Sequence, residues 1–203
     1  MSVTIEKLSH EQIRIATEGV LNDYQTERVI PVEIEEIIEF GFGIEVRPIN
    51  ALYSRFGFEG ALSRNLDIIR VDADLYKRKL NRLRFTLAHE LGHCVLHGDY
   101  LISLSINDKE EWKQAVTDID PTTYGWMEFQ AYTFAGHVLV PSENLLESCK
   151  EAEAKALQNG INLSAIGEDA ISYVAGWIAK DYKVSTEVIE RRLRNDKIVF
   201  GDL

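Results

Sequence analysis

The 203-residue chain is poor in cysteine, with Cys94 and Cys149 as its whole complement. Two cysteines and no recognisable leader argue for a reduced, cytoplasmic protein and against a disulfide scaffold. The opening MSVTIEKLSH has no basic stretch followed by an apolar one, so no secretory signal is read there. No apolar run approaches the roughly 20 residues of a membrane span, and no membrane partner is expected. Internal repeats and low-complexity tracts are absent. Positive charge is also scarce: 22 Lys and Arg against 33 Asp and Glu leave a net charge of −11. Such a surface repels phosphate backbones and makes nucleic acid an unfavoured partner. What remains is ordinary globular composition, 45% hydrophobic and 27% charged. The length suits one domain, with or without a small appendage.

Helices dominate the predicted elements. Ser9 and Gln12 have capping-box spacing ahead of an amphipathic run that reaches about Tyr24. Pro31 suits a first helical position before VEIEEIIEF, with Gly41 as the stop. Three strand candidates follow, at 43–49, 58–64 and 67–73, the last two joined through Asn65 and Leu66 as a hairpin. A helix is then expected from an N-cap at Asn81 to a stop at Gly98. Residues 99–124 read as irregular. Further helices are predicted at 125–140, ending before Pro141, and from Ser142 to Gly160. AISYVAGWIAKDY and TEVIERRLRND complete the chain as two more. Strands clustered early among many helices argue for an α+β fold.

The chemistry is concentrated in FTLAHELGHCVLH, residues 85–97. His89, Glu90 and His93 fit H-E-x-x-H on a predicted helix. Residues four apart share a helix face, so both imidazoles can reach one ion at about 2.0–2.1 Å. Glu90 is rotated by about 100° from His89 and can serve as a general base for a water on the open side of the ion. His97 repeats the spacing once more. Eight residues of helix, however, rise about 12 Å, too far for His89 and His97 to share one ion. His97 is therefore read as a helix-end residue able to bond the last carbonyls. Cys94 points to another face and reads as a small core residue.

A third ligand must come from elsewhere. Glu128, Ala131, Tyr132 and Ala135 form one helical stripe on which small residues would let a second helix approach the first. A carboxylate on such a stripe should be paired or metal-bound, although a surface glutamate at a helix start reads the same way. His137 is the rival, and lies more than two turns from Glu128. The second donor for a tetrahedral oxyanion is left open among His137, Tyr124, Tyr132 and His97.

RFTLAHELGHCVLH (84–97) and EFQAYTFAGHVLVP (128–141) resemble the two signature blocks of the ImmA/IrrE family of metallo-endopeptidases, in that family's order. IIRVDAD before the first block and VSTEVIERRLRN near the end also look like this family. The resemblance spans most of residues 30–195. It implies a gluzincin-like site with His89 and His93 as ligands, Glu90 as base and Glu128 as third ligand. It also implies one Zn2+ per chain, with another divalent ion such as Mn2+ as the alternative. Gln130 departs from a second glutamate common in the family, and Tyr132 from an Asn or Asp. The implied fold is a mostly helical, zincin-like α+β domain. A small sheet of about three strands, antiparallel or mixed, lies beside the metal helix. Residues 1–150 form the metallopeptidase domain, and 151–203 a helical extension packed on it. The implied substrate is a helix-turn-helix repressor, whose basic DNA-binding surface would suit an acidic protease. Two other readings stand beside this one. The first is a catalytically silent metal-binding regulatory or interaction protein, of toxin-antitoxin or mobile-element type. The second is a DNA-binding helix-turn-helix in the basic C-terminal pair, where Lys180, Lys183, Arg191, Arg192, Arg194 and Lys197 cluster.

Overall fold

The computed structural model describes residues 5–104 and 119–202. The expected capping box opens α1 (His10–Tyr24). The Ser9 hydroxyl accepts from the Gln12 amide, and the Gln12 side chain accepts from the Ser9 amide. Pro31, in contrast, does not start a helix. α2 (Ile34–Glu36) begins later and runs into a π-helical turn, Ile37–Gly41. Val32 and Ile34 are both fully buried. Residues two apart fall on one side of an extended chain, so the link through Val32 and Ile34 can turn both side chains to the core.

The sheet is three-stranded and mixed. β1 (Glu45–Ile49) precedes the short helix α3 (Leu52–Phe56), then come β2 (Gly60–Leu62) and β3 (Ile68–Asp72). The order is β1-β3-β2, with β1 parallel and β2 antiparallel to β3. The hairpin expected through Asn65 and Leu66 is present, with Leu66 in the left-handed region at φ 58°. β2 is thus an edge strand. Ser63 donates to the Ile68 carbonyl, and Asp72 to that of Glu59. In an antiparallel ladder the alternate residues, Gly60 and Leu62, must then turn their backbone groups to the free edge.

After α4 (Ala73–Arg78), capped by Asp72, the long helix α5 (Leu80–Ser103) carries the histidine triplet. Its ends differ from expectation. Asn81 is inside the helix and donates to the Val184 carbonyl at 3.2 Å. Gly98 does not stop it, because Leu101 one turn on is still buried and Gly98 itself lies against Leu66. Residues 105–118, most of the segment read as irregular, lie outside the described residues. α6 (Pro121–Leu139) starts four residues earlier than expected. Asp120 accepts from the Thr122 and Thr123 amides, and Pro121 takes the first helical position. α7 (Ser142–Gln158), α8 (Leu163–Ile166), α9 (Asp169–Ile178) and α10 (Thr186–Asn195) follow. Of the described residues 64% are helical, an α+β fold in which helices dominate. None of the described helices is long and apolar enough to cross a membrane.

Two contacts hold the site-bearing helices. Arg192 of α10 is buried and donates to the Gly136 and Val140 carbonyls at the end of α6, and to Asp196. Arg191 pairs with Glu187 and lies over the Tyr132 ring, so two basic groups of the C-terminal pair are used within the chain. The second contact is between α5 and α6 at Gly92. A Cβ added there would lie 3.1 Å from both Cα and O of Ala131, and 3.2 Å from Cβ of Phe134. The obstacle is the backbone of a buried helix, which has little room to yield. Gly92→Ala should therefore destabilise the protein by about 1–2 kcal/mol, even after the roughly 1 kcal/mol that alanine gains in helix propensity. Denaturant midpoints check this. A variant as stable as the parent would mean that α5 and α6 can part without cost.

Candidate metal centre

The α5–α6 contact sets the distance between two facing helix surfaces. His89 and His93, one turn apart on α5, meet Glu128 on the first half of α6. Nε2 of His89 and Nε2 of His93 are 3.1 Å apart. The Glu128 carboxylate lies 3.4 Å from His89 Nε2 and 3.3 Å from His93 Nε2. The ligand atoms of the three residues all lie within 4.8 Å of one another. Donors about 2.0–2.1 Å from one tetrahedral ion sit between 3 and 4 Å apart, and two imidazoles with one carboxylate are a zinc-type donor set. The residues present therefore fit a zinc ion.

Charge is arranged accordingly. Burial works against ionised Glu128, yet hydrogen bonds from His89 and His93 hold its carboxyl far below the usual range. Burial also works against a charged His89, but the hydrogen bond to Glu128 and the fields of Glu90 and Glu128 raise it. Glu90 is 8% exposed. Burial pushes its carboxyl up, partly offset by His93 and His89. Its Oε2 accepts the Leu62 amide at 2.8 Å, one of the groups on the free edge of β2. Gly60 makes this approach possible, since a Cβ there would meet Thr86 Cγ2 at 2.5 Å and Glu90 Oε1 at 2.9 Å.

The remaining candidates separate. His97 is not a helix-end residue. It is 2% exposed in the interior of α5, behind His93, with the two Nδ1 atoms 3.1 Å apart. Its Nε2 is 3.1 Å from Oε1 of Gln130. Burial and the field of His93 push it down to about 4, so it is neutral. Tyr124 is an exposed residue one turn before Glu128 on α6, and burial and then the charge of Glu128 push its phenol up. Tyr132 lies against Phe85, ring centroids 4.8 Å apart. Both rings, with His89, Glu128 and His137, line a cavity of about 500 Å³ beside the metal-binding group. The structure does not bring His137 into that group.

His137 is 5% exposed, and its Nδ1 has no hydrogen-bond partner among the described residues. Burial, then the fields of Arg192, His10 and Arg14, push it from its ordinary 6.5 to about 3. The folded state keeps this imidazole neutral while the unfolded chain protonates it below about pH 6.5. Stability should therefore be full above that pH and fall as pH drops from about 6.5 toward 3, where the unfolded state binds the extra proton. Unfolding curves at a series of pH values, with His137→Gln as the comparison, check this. The variant should show a shallower acid loss, and an equal slope would assign the loss to other groups.

Three contributors were not anticipated from the residues alone: the Leu62 amide, Gly60 and Gln130. The first two belong to a chain segment nearly 30 residues from Glu90, and no local pattern announces them. Gln130 did carry a signal. It falls on the apolar stripe Met127, Gln130, Ala131 and Phe134, all buried, where an amide must find partners.

A long helix with H-E-x-x-H, a carboxylate from the next described helix and an edge strand alongside are the features of a zincin-like metallopeptidase. The sequence profile described as IrrE N-terminal-like domain, a peptidase family, matches residues 68–194. The chain belongs to that family. Among curated proteins no match was found.

Proposed function

We propose that this chain is a zinc-dependent endopeptidase whose ligands are His89, His93 and Glu128 and whose general base is Glu90. The observation that carries the reading is the convergence of three ligand atoms within 4.8 Å, with a buried carboxylate one residue along the same helix. A zinc ion held there supplies Lewis-acid polarisation of a peptide carbonyl and activates water at neutral pH. The chain's own residues do the rest. An extended substrate pairs with the free edge of β2 through the backbone groups of Gly60 and the Leu62 carbonyl, the Leu62 N–H being taken by Glu90, which lays a peptide bond across the mouth of the site. Glu90, held by the Leu62 amide, accepts the proton of the attacking water. As the C–N bond breaks it delivers that proton to the leaving amine. Tyr132, in the cavity beside His89 and Glu128, and Tyr124, in the field of Glu128, are the candidate donors for the oxyanion.

The expected substrate is a helix-turn-helix repressor, by the family resemblance. The net charge of −11 supports it, since it favours encounter with a basic DNA-binding partner. Such a target belongs to the cytoplasm, as does a chain with two free cysteines. The test is to incubate the zinc-loaded protein with a candidate repressor, with and without chelator, and read the products by mass spectrometry. A single new pair of termini, lost on chelation and regained with zinc, is expected. Zinc bound at the three ligands with no cleavage of any repressor or peptide would leave the silent metal-binding reading in its place.

A further inference from the structure

The buried chain behind His93 has a direction, and a backbone carbonyl sets it. The Gln130 amide nitrogen donates to the Glu6 carbonyl at 2.9 Å. A carbonyl can only accept, so Gln130 must present Nε2 to Glu6 and Oε1 to His97. Gln130 Oε1 can in turn only accept. The 3.1 Å contact from His97 Nε2 therefore requires the proton on that nitrogen. His97 is buried between the uncharged Gln130 amide and another imidazole, with no carboxylate against either ring nitrogen to pair a charge, so it holds one proton and its Nδ1 carries the lone pair. That lone pair faces His93 Nδ1 at 3.1 Å, and two lone pairs would repel. His93 Nδ1 must then hold its proton, leaving Nε2 with a free lone pair. Nε2 is the atom 3.1 Å from His89 Nε2 and 3.3 Å from Glu128. His97 and Gln130 are respectively 2% and 0% exposed, so water has little access to replace either partner.

We propose that Gln130 and His97 are positioning residues that lock His93 in the tautomer with Nε2 free, with the Glu6 carbonyl as the fixed end of the lock. This builds on the reading of His93 as a metal ligand. It assigns work to the third histidine of the triplet, and to a glutamine that stands on an apolar stripe where relatives often have glutamate. It also gives the segment ahead of α1 a part in the site through its backbone.

The test reads tautomers first and metal second. Nitrogen-15 NMR of the histidine rings in the metal-free protein, at about pH 8 where ordinary imidazoles are neutral, should show His93 protonated at Nδ1 and His97 at Nε2. Gln130→Met keeps the length but removes the acceptor. It should mix the tautomers of both rings and weaken zinc binding by about 10–100-fold, the usual effect of losing a partner behind a ligand. Gln130→Glu still accepts from His97 Nε2–H but cannot donate to the Glu6 carbonyl, and its charge favours a doubly protonated His97 whose Nδ1–H would move the His93 proton to Nε2. It should therefore keep His97 Nε2 protonated, shift His93 toward the Nε2-protonated form and weaken zinc binding, whereas a packing role would leave the His93 tautomer unmoved. The proposal is overturned if His93 carries its proton on Nε2 in the parent protein. Parent-like tautomers and zinc affinity in Gln130→Met would overturn it too. No substrate enters these measurements, so a protein that shows the lock yet cleaves nothing would count against the peptidase reading alone.

Discussion

Glu90→Gln is expected to keep zinc at parental stoichiometry and to lose peptide cleavage by about a hundredfold to ten-thousandfold, the range of one general base. The substitution preserves shape, and the amide oxygen of glutamine can still accept from Leu62 N–H, which Glu90 now binds at 2.8 Å. What it removes is the capacity to take a proton from water and pass it to the leaving amine. The three ligand side chains are untouched, so metal content and rate should part company. Turnover of a peptide substrate, measured beside zinc content on the same sample, makes the comparison. Parental turnover by the variant would remove Glu90 from the mechanism.

The second large effect is expected from Glu128→Ala. Only this residue brings a carboxylate from α6 to the two imidazoles of α5, at 3.3 and 3.4 Å. Without it two neutral imidazoles are the remaining ligands, and Glu90, held to the Leu62 amide, is the carboxylate left nearby. Zinc affinity, read by competition with a chromophoric chelator, should fall by more than the about 10–100-fold typical of an outer partner. Folding should survive, because the Glu128 side chain is 39% exposed and its loss leaves no buried void. Parental affinity would place the third ligand elsewhere. Unfolding of the variant in the metal-free state would instead give Glu128 a structural task, and circular dichroism on the same sample distinguishes the two.

Much of the site was legible because it is local. His89 and His93 share a face through helix periodicity alone, and Glu90 follows from its place between them. The rise of the same helix kept His97 away from the metal position. Glu128 is a different case. Its stripe of small residues suggested that two helices approach closely, and the packing of Gly92 on Ala131 is that approach. Yet spacing within one helix says nothing about which stretch of a second helix lies opposite. The family resemblance, not periodicity, singled Glu128 out before the geometry did.

Helix ends were read least well, for related reasons. Asn81 and Gly98 have the residue types of a start and a stop, but both lie inside α5. Burial of Leu101 and the Asn81 bond to Val184 favour continuing the helix over ending it at those signals. At α6 the reverse held: Asp120 and Pro121 were a start signal in plain view, inside a stretch taken as irregular.

The sequence by itself determined the motif, the α+β class, the early clustering of strands and the family, because each depends on residue types at short spacing. Only the tertiary structure decided the rest. Glu90 rests on the edge strand because Gly60 leaves room for it. His137 stays outside the metal-binding group, where burial first and then the fields of Arg192, His10 and Arg14 keep it neutral. His97 became a neighbour of Gln130 rather than a helix terminus. These are contacts across 28, 33 and more residues of chain. Their geometry comes from how whole helices and strands pack, a quantity that no local pattern of residues encodes.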